Sequence, residues 1–247
     1  MKKTLYILLA ISIFSISAIS LAQTKFVEYD KKIAPGTREA WAMAADAVFI
    51  EINGEKYDFL GGWSKNPGQQ KDKQRALVEW WGIENRQDLL TELQQLEEHG
   101  HRESFKKMGE EQLSLSDAQY HQMLQKLEKT DPKAQVRFML VHNYYKTLGT
   151  KSIIAFDFIR HINLCRWGYA AGYITSEEAW SRIYSSAQVL QVTFDSWQDM
   201  SENYLLGRIF WSGDLSRNKD MLEGLERMKK RPQNPWLINK WDRNLYK

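Results

Sequence analysis

Residues 151–213 read KSIIAFDFIRHINLCRWGYAAGYITSEEAWSRIYSSAQVLQVTFDSWQDMSENYLLGRIFWSG. This stretch predicts three consecutive helices, over residues 151–174, 175–194 and 195–213. The first is apolar around almost its whole circumference, through Ile153, Ile154, Phe156, Phe158, Ile159, Ile162, Leu164, Cys165 and Trp167. A helix of that kind in a soluble protein lies at the centre of a bundle. The chain is therefore predicted to be all-α, a single irregular multi-helix bundle.

The boundaries between these helices follow from local capping signals. Gly172 is placed to end the first helix in a left-handed conformation. Thr175 with Glu178 three residues later forms a capping-box pattern, which predicts a second helix that begins at Ser176. Asp195 is predicted to cap the third helix, in which Trp197, Met200, Tyr204, Arg208 and Trp211 share one side.

The polar residues of the apolar first helix are the informative ones. Asp157 and Arg160 are three residues apart and hence lie on one face. Arg208 lies on the inward face of the third helix. A buried charge without a partner costs several kcal/mol. We therefore expect a buried charge network in which Asp157 lies between the two arginines.

The order and spacing of several motifs resemble a bacterial family known as domain of unknown function 1266. The motifs are W81-G-I-E-N-R, L96-E-E-H-G-H-R-E-S-F, D157-x-x-R160, R166-W-G-Y-x-A-G-Y-I, E178-A-W, S196-W, Y204-x-x-G-R208-x-x-W211 and N234-P-W. The likeness covers roughly Trp80 to Trp241. It implies an all-helical domain over residues 80–247 and carries no activity with it. The lysine-rich segment of residues 65–75 and the N-terminal leader described next depart from the pattern of many relatives.

The first 22 residues have the pattern of a secretory signal peptide. A basic start is followed by an apolar run from Leu5 to Leu21 and by the small-x-small sequence Ser20-Leu21-Ala22. The alternative is an uncleaved anchor, but the apolar run is short for a membrane-spanning helix. We expect cleavage after Ala22, a periplasmic or secreted protein, and no membrane attachment after cleavage.

Composition limits the classes of function. The predicted mature chain keeps 32 basic and 31 acidic residues, a balance that does not favour nucleic acid or anionic lipid as a partner. Its one cysteine, Cys165, excludes an internal disulfide and is expected to be a buried thiol. The ten tryptophans indicate either a heavily packed interior or an aromatic groove.

Residues 23–79 are predicted to form an N-terminal helix and a flexible segment packed on the main domain. Thr37 is expected to cap a helix that runs to about Phe49. Residues 50–57, which contain an Asn-Gly turn, predict either a small hairpin or a loop. Residues 61–70 are the predicted flexible segment.

His99 and His101 have the spacing of a metal chelate but lack an adjacent third ligand, so we interpret them as a helix-end turn and expect no metal and no cofactor. The candidate functional residues form a predicted polar and aromatic cluster: Asp157, Arg160, Glu178, Trp180, Trp197, Tyr204, Arg208 and Trp211.

Two functions fit this pattern. The first is an exported binding protein of the bacterial envelope, whose partner is another protein or an envelope component. The second is a hydrolase that cleaves a glycan with a pair of carboxylates in a tryptophan-lined cleft. An open cleft lined by Asp157, Arg160 and Arg208 would favour the enzyme, whereas a sealed core position would disfavour it, because structural ion pairs imitate catalytic clusters.

Overall fold

The structure is a computed structural model that describes residues 31–63 and 67–246. Within these ranges it is all-α, as predicted. The helices are α1 (Arg38–Ala45), α2 (Ala47–Ile52), α3 (Pro67–Trp81), α4 (Arg86–Glu98), α5 (Gly100–Leu113), α6 (Asp117–Thr130), α7 (Pro132–Leu148), α8 (Ile154–Ala170), α9 (Ser176–Thr193), α10 (Trp197–Ser212), α11 (Lys219–Lys229) and α12 (Pro235–Ile238). In the part of the chain so described, no helix has the length and apolarity needed to cross a membrane.

Helix α8 lies at the centre of the bundle, as its apolar circumference predicts. It packs against α3, α4, α5, α9 and α10, while α7 packs against α5 and α10 and α6 packs on α7. Helix α10 approaches it closely at Gly207, where a Cβ atom would overlap the Phe156 side chain. This close approach sets Tyr204 and Arg208 of α10 beside Phe156 and Arg160 of α8.

The predicted caps of the second and third helices have different outcomes. Thr175 and Glu178 form the capping box, with the Glu178 amide donating to Thr175 Oγ1 at 3.2 Å and the Thr175 amide donating to Glu178 Oε2 at 2.9 Å. Asp195 is not the cap of α10. Ser196 takes that place and accepts from the Asp199 amide at 3.1 Å, because a hydroxyl one residue later already satisfies the first turn.

The predicted hairpin at residues 50–57 does not form. Residues 47–52 form helix α2 instead, and this helix ends before Asn53-Gly54. Glu51 is fixed by the Tyr57 hydroxyl at 2.6 Å and by Arg231 at 2.8 Å, which keeps this segment against the bundle. Residues 67–70 of the predicted flexible segment belong to α3, which begins at Pro67. Residues 64–66 lie outside the described part of the chain.

Four tryptophans join the two ends of the chain. The Trp41 and Trp197 ring centroids are 4.6 Å apart, and Trp241 lies 5.1 Å from Trp41. Each indole N–H donates to a backbone carbonyl: Trp41 to that of Trp241 at 3.2 Å, Trp197 to Asn239 at 2.9 Å, Trp236 to Ala44 at 2.9 Å and Trp241 to Phe194 at 3.1 Å. The cluster fastens the C-terminal residues Trp236 and Trp241 to α1.

Candidate functional site

A pocket of about 610 Å³ opens between the N-terminal helices, α8, α10 and α11. Its walls combine aromatic rings with arginines. The lining residues are Phe49, Ile52, Asn53, Trp80, Trp81, Phe156, Arg160, Tyr204, Arg208, Trp211, Arg217, Asp220, Met221, Glu223 and Arg227. The volume lies within the range of small-molecule sites, which are mostly apolar with a few placed polar groups.

Arg160 is the polar group that α8 contributes to this pocket. Its guanidinium carbon lies 4.3 Å from the Trp81 ring centroid and 4.8 Å from that of Phe156. One terminal nitrogen, Nη1, donates to His101 Nδ1 at 3.2 Å. No carboxylate of the described residues forms an ion pair with it. Burial lowers the pKa of Arg160 from its usual range, yet an arginine stays protonated in a folded protein. The pocket therefore contains a cation held by rings rather than by an acid.

Arg208 differs from Arg160 because its charge is already paired. Its two terminal nitrogens contact the two Asp220 oxygens at 3.1 and 3.2 Å, and Nη1 also donates to the Arg217 carbonyl. Arg227 is also paired, since its Nε lies 3.8 Å from a carboxylate oxygen of Glu51, a residue that does not line the pocket. The lining holds four arginines against two acidic residues. The pocket therefore carries an excess of positive charge that suits an anionic ligand.

The aromatic residues that line the pocket differ in their exposure to solvent. Phe156 and Tyr204 are buried, whereas Trp80 and Trp211 are 65% and 42% exposed and lie at the mouth. Burial raises the pKa of the Tyr204 hydroxyl above its usual range, so this residue stays neutral. The pocket therefore presents flat apolar surfaces next to Arg160.

Asp157 does not lie between Arg160 and Arg208, so the predicted network is wrong. The carboxylate is fully buried and accepts from the His101 amide at 2.8 Å and from the Arg102 amide at 3.1 Å. Arg102 Nη1 lies 3.1 Å from it. It thereby caps the N-terminus of α5, which has no side-chain cap of its own. At Gly100 (φ +62°) a Cβ atom would overlap this carboxylate, which explains the glycine.

The remaining predicted residues divide between the pocket and the rest of the fold. Arg160, Tyr204, Arg208 and Trp211 converge at the pocket. Glu178 instead pairs with Arg86 at 2.5 Å, and this hydrogen bond lowers the pKa of Glu178 to about 2. Trp180 stacks on Tyr184 with ring centroids 5.4 Å apart, and Trp197 belongs to the tryptophan cluster of the chain ends. The tryptophans that line the pocket are therefore Trp80, Trp81 and Trp211.

The larger buried charge network was missed by sequence reasoning. Arg166 is fully buried and donates to Asp46 and, at 2.5 Å, to Glu55. Glu55 also accepts from Lys73 at 2.6 Å and from the Trp167 indole at 3.1 Å. The sequence did contain a signal for this network, because an arginine at position 166 of an almost wholly apolar helix needs buried acidic partners. These acids come from α1–α2 and the following turn, so the network joins the N-terminal residues to the core.

This network predicts a pH effect at Asp46. Burial raises the pKa of Asp46 from 3.8 to about 7. A raised carboxyl pKa stabilises the fold at low pH, and that contribution is lost as the pH rises through about 7. We expect the wild type to lose about 3 kcal/mol relative to Asp46→Asn between pH 5 and pH 8, most of it before pH 7 is reached. Urea denaturation of both proteins at the two pH values measures this difference, and pH profiles that run parallel would contradict it.

A second buried group arranges a serine, a histidine and a carboxylate in a row. His161 Nδ1 lies 2.8 Å from Ser186 Oγ, and His161 Nε2 lies 2.8 Å from Glu97 Oε1, which also accepts from Arg182 at 3.0 Å. Ser186 and His161 are each 1% exposed, so a substrate does not reach the hydroxyl. The group acts as a link between α8, α9 and α4. Burial raises the pKa of the nearby Cys165 thiol, which makes that residue an inert core group as predicted.

The two histidines with chelate spacing point to different partners. His99 Nδ1 lies 3.1 Å from Glu103, whereas the His101 ring contacts Arg160. Among residues 31–63 and 67–246, no group of three or more metal-ligating side chains is placed to hold a metal ion.

Comparisons with known proteins give a family and one relative. The model of a family described as a protein of unknown function (DUF1266) matches residues 76–241. The uncharacterized protein YbeU of Escherichia coli (strain K12) is 26% identical over 157 residues, which cover 62% of this chain and 64% of YbeU. The chain thus aligns with less than two thirds of that relative's length. No solved structure matches the chain.

Proposed function

Because this chain belongs to the DUF1266 family of proteins of unknown function, we propose a function from its pocket: it is a binding protein of the bacterial envelope, and the pocket around Arg160 holds its ligand. The observation that carries this proposal is the Arg160 guanidinium, which is packed on Trp81 and Phe156 and has no carboxylate partner among the described residues. Burying a charge in this way costs free energy. A ligand that supplies the missing anion recovers that cost.

The hydrolase alternative has less support in this geometry. Asp157, the carboxylate on the central helix, is fully buried and bonded to the start of α5. The acidic residues of the pocket lining are Asp220 and Glu223, and Asp220 is held by both terminal nitrogens of Arg208. Both oxygens of the Asp220 carboxylate are therefore engaged by Arg208. Binding therefore accounts for the site better than acid–base cleavage of a glycan.

The location in the envelope rests on the sequence. Residues 1–22 have the pattern of a signal peptide, and they lie outside the described residues. We propose that the chain is exported and that the mature protein begins at Gln23. The binding site would then face the periplasm or the medium, where its partner is an envelope component or another protein.

To test export, the C-terminally tagged chain is isolated from the periplasm of the expressing cell, and its N-terminal sequence is determined. The purified protein is then dialysed to equilibrium against an extract of envelope small molecules, and both chambers are compared by mass spectrometry. We expect one or more compounds to be enriched with the wild type and lost with Trp211→Ala. Trp211 is partly exposed, so this change widens the mouth at little cost to folding.

Trp180→Ala is the matched control, since this tryptophan lies outside the pocket lining. It should enrich the same compounds as the wild type. Equal enrichment by wild type and Trp211→Ala, or no enrichment at all, would refute the pocket as the binding site. An N-terminus at Met1, or a protein confined to the cytoplasm, would refute the proposed export.

A further inference from the structure

We infer that the ligand of this pocket is an aromatic carboxylate, whose carboxylate is bound by Arg160 while its flat ring lies among the tryptophans. This inference rests on the proposed function and adds the chemical class of the ligand. Three properties of the pocket carry it: a planar cation with free donors, a single arginine that is both unpaired and not exposed, and flat apolar walls beside that arginine.

The first property is the state of the Arg160 guanidinium. Only Nη1 has a hydrogen-bond partner among the described residues, the His101 ring at 3.2 Å. Nε and Nη2 have none there, and neither is a sealed polar atom, so both are open to a molecule in the pocket. Two parallel N–H groups of a guanidinium match the two oxygens of a carboxylate. The rings of Trp81 and Phe156 hold the guanidinium in place, which reduces the entropy lost on binding.

The second property distinguishes a carboxylate from a phosphate. A phosphate group carries up to two charges and is usually held by several donors or by a free helix N-terminus. Here Arg208 is occupied by Asp220, and Asp220 stands in the first turn of α11, the helix that begins at the pocket. That acid would repel a second negative charge. Arg227 is paired with Glu51, and Arg217 is exposed, so Arg160 is the one arginine of the described lining that is both unpaired and not exposed. A single arginine of this kind fits an anion with a single charge.

The third property concerns the body of the ligand. The lining includes the exposed Trp80 and Trp211, the half-buried Trp81, and the buried Phe156 and Tyr204. Aromatic side chains prefer offset or edge contacts with another ring. The volume of about 610 Å³ accommodates a bicyclic ring with its acid group. A short aliphatic acid would leave these surfaces uncovered.

The test is titration calorimetry of the mature protein with three ligands of one shape: 2-naphthoate, 2-naphthalenemethanol and 2-naphthyl phosphate. We expect 2-naphthoate to bind at least about tenfold more tightly than the neutral alcohol, since a charge-assisted pair replaces an ordinary contact. Arg160→Gln should weaken 2-naphthoate at least about tenfold and leave the alcohol unchanged. Arg75→Gln, an exposed arginine of α3 outside the pocket, is the matched control and should bind all three ligands as the wild type does.

Arg160→Lys keeps the charge but removes the planar pair of donors, so it should bind 2-naphthoate more weakly than the wild type. If Arg160→Gln does not fold, this variant and the wild-type ligand series decide the question. Equal affinity for acid and alcohol, tighter binding of the phosphate, or unchanged binding by both Arg160 variants would overturn the inference. If envelope compounds are still enriched in a Trp211-dependent way, the ligand class is wrong and the proposed function stands; if they are not, both fail.

Discussion

Replacing Arg166 by methionine is expected to lower the free energy of unfolding by about 3–5 kcal/mol. The side chain is fully buried and donates to Asp46 and Glu55, which are themselves buried. Methionine fills similar space but leaves the two acids with Lys73 as their one remaining cation in the network. A buried ion pair is most costly when one partner is removed, because an uncompensated charge stays behind.

Urea denaturation of Arg166→Met measures this loss. Arg75→Met is the control: it removes an exposed arginine that pairs with Asp72, and it should change stability by less than about 1 kcal/mol. Adding Asp46→Asn and Glu55→Gln to Arg166→Met should recover part of the loss, because the unpaired charges are then gone. A loss below about 1 kcal/mol for Arg166→Met alone would mean that the network contributes little.

Asp157→Ala is expected to destabilise the protein by a similar amount, about 3–5 kcal/mol. The change removes the acceptor for two amides at the start of α5 and leaves Arg102 without its carboxylate. Arg102 also donates to the Leu96 and Glu97 carbonyls at the end of α4. One carboxylate thus fixes the junction of α4 and α5 against α8.

A double-mutant cycle identifies the partner of Asp157. We expect a coupling energy of about 1–3 kcal/mol between Asp157→Ala and Arg102→Ala, and additive effects for Asp157→Ala with Arg208→Ala. The reverse result, coupling to Arg208 and none to Arg102, would restore the network predicted from the sequence. Wild-type stability of Asp157→Ala would contradict both arrangements.

Helix positions followed from the sequence because they depend on local patterns. The apolar circumference of residues 153–167 predicted the central helix, and the Thr175–Glu178 capping box placed the start of α9. Of the two alternatives predicted for residues 50–57, the hairpin does not form, because an Asn-Gly pair ends a helix as readily as it turns a strand and the preceding apolar residues form α2. Whether residues 47–52 form a helix or a strand depends on their contacts with α11, which is distant in sequence.

The partners of buried charges could not be read in the same way. Asp157 was correctly expected to be buried and paired, but its partner is 55 residues away rather than one helical turn away. Arg166 finds Asp46 across 120 residues. Side-chain spacing on one helix limits which residues share a face and says nothing about which loop covers that face. Four of the predicted residues lie together in the pocket because α8 and α10 cross at Gly207: Arg160, Tyr204, Arg208 and Trp211. Trp80 and Trp81 were not predicted with them, because they lie on α3, for which the sequence pattern indicated no contact with α8 or α10.

The tryptophan cluster has a consequence for how the chain acquires its structure. The Trp41 indole donates to a carbonyl 200 residues away, so this part of the covering of α1 forms only after the chain has been made as far as Trp241. Contacts between such distant segments form late, because the intervening chain must first be ordered. For a chain that crosses a membrane before it folds, as proposed above, α1 and the C-terminal tryptophans stay apart until both segments have crossed.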